Sequence, residues 1–81
     1  MMDNIVGPAA LDLSARIQPL LHGQGPAIQG AALCDLVSIF IAGHHPKLRE
    51  PVLNMFVDFV RTLVPESEAQ IFPNGKPEGW E

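Results

Sequence analysis

The sequence predicts an all-α protein: three helices, the second and third paired as an antiparallel hairpin and the first packed across it, with the core completed as a dimeric helical bundle. Three observations predict it. Apolar residues recur at helical spacing in three successive stretches, and each stretch opens on a proline: Pro8, Pro26 and Pro46. The connections between the stretches are short, and they are built from Gly and His. Apolar residues make up 47% of the 81 positions and charged residues only 17%, where typical globular proteins carry about 25% charged. A chain of this length forms one domain and buries only about 60–65% of its unfolded surface. The helices therefore hold more apolar side chain than a single thin layer can hide.

The first helix is expected over 8–21. Gly7 is a permissive cap and Pro8 a good first position. Ala10, Leu13, Ile17, Leu20 and Leu21 fall within one arc of about 100°, while Asp12, Arg16 and Gln18 point away. Pro19 crowds the carbonyl of Ala15 and disturbs the last turn. His22 and Gly23 then supply a left-handed stop.

The second helix, 26–43, is the one the chain is built around. Ile28, Leu33, Cys34, Leu36, Val37, Ile39, Phe40 and Ile41 occupy about two thirds of its circumference. A surface helix needs an apolar arc of only about 100°, so this one requires neighbours on most sides. Its remaining strip, Ala27, Ala31, Asp35, Ser38 and Ala42, is small or polar. Asp35 and the shortness of the run exclude a membrane span, which needs about 20 largely uncharged residues. As the helix's only charge, Asp35 must reach water, pair with Arg16 or Arg49, or cap another helix.

The third helix is expected over 46–64. Its apolar arc of about 200° includes Leu48, Val52, Leu53, Met55, Phe56, Phe59, Val60 and Leu63. Glu50, Asn54, Asp58, Arg61 and Thr62 form the wet face, with Asp58 and Arg61 spaced to pair across a turn. Pro51 costs one backbone bond near the start, and the helix continues past it. Pro65 is expected to end the regularity, leaving a short turn over 66–72 in which Ile71 and Phe72 dock. Residues 1–72 thus form one helical domain. The stretch 73–81, with two prolines and two glycines, reads as a flexible tail whose one large apolar residue is Trp80.

Composition also excludes functions. A net charge of −4 and a pI near 5.2 argue against nucleic acid, which is bound through Lys and Arg at phosphates. The five basic residues are dispersed, which argues equally against an anionic membrane surface. One cysteine, Cys34, forms no disulfide within the chain; beside the apolar arc it reads as a small buried hydrophobe in a reducing compartment. The first residues lack a basic region followed by an apolar run, so no secretion signal is expected and the location is cytoplasmic.

Nothing in the sequence points to catalysis. Cys34 beside Asp35 has acidic and apolar neighbours, the wrong setting for a reactive thiolate. Ser14 and Ser38 lack a histidine at any motif spacing, and HGQGP is a loop rather than a phosphate cradle. His44 and His45 form a conspicuous pair, but no metal-binding spacing accompanies them and a capping role is the expectation; no metal or other cofactor is expected. The chain reads as a non-enzymatic, acidic protein acting through self-association or docking to another protein. The rival reading is a small-ligand or metal-sensing module using the histidine loop or the stripe of Met55, Phe56 and Phe59. The expected partner is a second copy, through an interface drawn from Leu33, Val37, Phe40, Leu53, Phe56 and Val60.

Overall fold

In the computed structural model, which describes residues 6–80, the chain forms three α-helices joined by short turns: α1 (Pro8–Leu21), α2 (Pro26–Ala42) and α3 (Pro46–Ile71). No strand occurs among the described residues. The expectations for residues 1–5 and for the last residue of the tail fall outside them.

Proline sets all three starts. Each helix has Pro at its first position, where the missing N–H forfeits no helical bond. Gly7, Gly25 and His45 precede them as caps. His45 alone caps through its side chain, Nδ1 accepting from the Lys47 N–H at 3.1 Å. At the end of α1, His22 N–H donates to the Gln18 carbonyl at 3.2 Å. Gly23 then turns the chain with φ of 82°, a conformation that side chains resist.

The turn Gly43–His45 folds α3 back along α2. Ala42 and Arg49 face each other beside the turn, while Cys34 and Val57 line the same groove farther along. Arg49 closes the turn, its Nη2 donating to the Ala42 carbonyl at 2.9 Å and its Nε to that of His44 at 3.1 Å. His44 Nδ1 donates to the Phe40 carbonyl at 2.9 Å, and its ring stands edge-on to the Phe40 ring, with centroids 5.0 Å apart. The histidine loop is thus built as a set of caps on two helix ends.

The end of the third helix and the setting of Cys34 differ from expectation, as does the place of α1 described below. The third helix does not stop at Val64 but runs through Pro65 to Ile71, absorbing the expected separate turn at 66–72. Proline forbids only the bond to the carbonyl four residues back, here Arg61, and Glu66, Glu68, Ala69 and Gln70 are good helix formers that carry the helix on. Cys34 is exposed, not buried.

Beyond Ile71 the chain makes two turns. Gly75 N–H donates to the Phe72 carbonyl and Trp80 N–H to that of Pro77, which brings the Trp80 ring edge-on to Phe72 at 5.4 Å between centroids. Trp80 remains 58% exposed.

None of the described residues is buried. α2 and α3 contact each other, whereas α1 barely touches the hairpin. Its firmest link is Gln29 Nε2 donating to the Leu21 carbonyl at 2.8 Å. Its apolar face stays open, with Leu13 57% and Leu20 75% exposed. The radius of gyration is 14.7 Å, where a compact domain of this length comes to about 12 Å.

Candidate association surface

α2 is apolar around most of its circumference, so packing one side against α3 leaves another side bare. Val37 and Ile41, which point at α3, are half-buried. Ile28 and Ile39, each 61% exposed, lie on the far side with nothing over them. On α3, Val52, Phe56 and Leu63 are half-buried, while Met55 stays 71% exposed.

The hairpin carries two open grooves, and Phe56 contributes to both. One, of about 520 Å³, is lined by Phe40, Val52, Met55, Phe56 and Phe59, with Asp58 and Thr62 at its polar edge. The Phe40 and Phe56 rings meet there at 6.2 Å between centroids, tilted by 45°. The other, of about 540 Å³, is lined by Cys34, Val37, Ile41, Leu53, Phe56 and Val57, with Ser38, Ala42 and Arg49. The first is aromatic and wide-mouthed. The second is built from smaller side chains.

The six expected interface residues divide between these features. Phe40 and Phe56 line the aromatic groove, and Val37, Leu53 and Phe56 line the second. Leu33 and Val60 line neither, though they are 44% and 43% exposed. The structure adds Met55 and Phe59, whose spacing of four already set them on one helix face in the sequence. It also adds Leu36 and Leu48, each one turn from a groove residue and 54% and 52% exposed.

Charged groups near these surfaces are few and satisfied. Asp58 pairs with Arg61 at 3.5 Å, and Thr62 Oγ1 donates to the Asp58 carbonyl at 3.1 Å. Arg16, one of the two partners expected for Asp35, instead pairs with Asp12 at 2.6 Å, and Arg49 is held on the turn carbonyls. Asp35 is exposed to water. Among the described residues, no three His, Cys, Asp or Glu side chains gather as a metal site would require. No helix among the described residues is long and apolar enough to cross a membrane. No protein-family model, curated protein or solved structure matches the chain. The chemistry of this surface is that of uncharged contact.

Proposed function

We propose that this protein acts without catalysis, as a small acidic association module that completes its core against another protein surface. One observation carries the reading. The chain exposes 6690 Å², where a compact monomer of its 8.8 kDa exposes about 4,800 Å². On the helices, Leu20, Ile28, Ile39, Met55 and Ile71 are each more than 60% exposed. Soluble monomers rarely leave a contiguous apolar patch beyond a few hundred Å². A face of this size and kind is ordinarily buried against protein.

The acidic balance and dispersed basic residues favour a protein partner over nucleic acid or an anionic membrane. The single unpaired cysteine suits the reducing cytoplasm. A second reading, capture of a small apolar ligand, is favoured by the aromatic groove alone. That groove is open rather than enclosed, whereas ligand sites typically bury about 70–90% of what they bind.

Apolar-surface dye fluorescence across a dilution series tests the proposal. Dye binding per chain should rise as the protein is diluted and its covered surface opens. A chain that sediments as a monomer, binds no dye and melts cooperatively would contradict it.

A further inference from the structure

We draw no further inference here: the strongest candidate, the open apolar face of the α2–α3 hairpin around the groove of Phe40, Met55, Phe56 and Phe59, carries none because nothing in the structure shows what covers it.

Discussion

Arg49 holds the hairpin turn with one side chain. Its two donations satisfy the carbonyl of Ala42, which the end of α2 leaves without a helical donor, and that of His44 in the turn. Arg49→Ala should lower stability by about 1 kcal/mol, since both bonds sit at a solvated site where a net hydrogen bond is modest. Arg49→Lys should recover only part, because an ammonium lacks the planar fork. Urea denaturation of the three proteins reads the difference, and an Arg49→Ala variant as stable as the parent would remove Arg49 from the turn's support. Asp35 should behave oppositely. Exposed, with Arg16 and Arg49 committed elsewhere, it should tolerate Asp35→Ala within about 0.5 kcal/mol. A larger loss in the same denaturation series would reveal a partner for its carboxylate in the assembled form. In the sequence, Arg49 reads only as a candidate partner for Asp35. A helical wheel describes one helix, and the carbonyls that Arg49 serves belong to the end of α2 and to the turn after it.

At the scale of elements, the starts were legible and one stop was not. Proline at a first helical position is a local signal, so α1, α2 and α3 begin where Pro8, Pro26 and Pro46 announce them. Pro65 sends the same signal in the middle of a helix. Its outcome depends on the helix propensity of the residues after it, and Glu66, Glu68, Ala69 and Gln70 favour helix. Pro65→Ala should therefore restore the bond to the Arg61 carbonyl and raise stability by about 1–3 kcal/mol, with a gain in helical circular dichroism. A loss of stability would mean that the proline shapes α3 for a contact. The glycines divide in the same way. Gly23 has φ of 82°, so Gly23→Ala should cost about 1 kcal/mol through the backbone alone, as nothing lies within 4 Å of an added methyl. Gly30 lies inside α2 with equally open space, and Gly30→Ala should stabilise by about 0.5–1 kcal/mol. Thermal melts of the pair should move in opposite directions, and movement in the same direction would contradict the assigned backbone.

At the scale of the whole molecule, the sequence shows the surplus of apolar surface but not its distribution. The wide arcs of the second and third helices forecast that one chain cannot cover them, and the structure has no buried residue among those described. The position of α1 departs from expectation: its apolar arc is a normal width, yet it stays largely off the hairpin it was expected to pack across. Which residues of α2 and α3 face each other was hidden from the sequence, because an arc of about 200° or more does not say which third of it meets the neighbour. On the wheel, Leu33 and Val60 therefore stand on equal terms with Phe40 and Phe56, although only the latter two line the aromatic groove. The central claim is that this fold is finished by association. The melting temperature measured between 1 and 100 µM protein tests it most directly. Mass action over that range amounts to about 2.7 kcal/mol for a dimer, so the midpoint should rise by roughly 5–10 °C. A sharp, cooperative transition at the same temperature across the series would contradict the account.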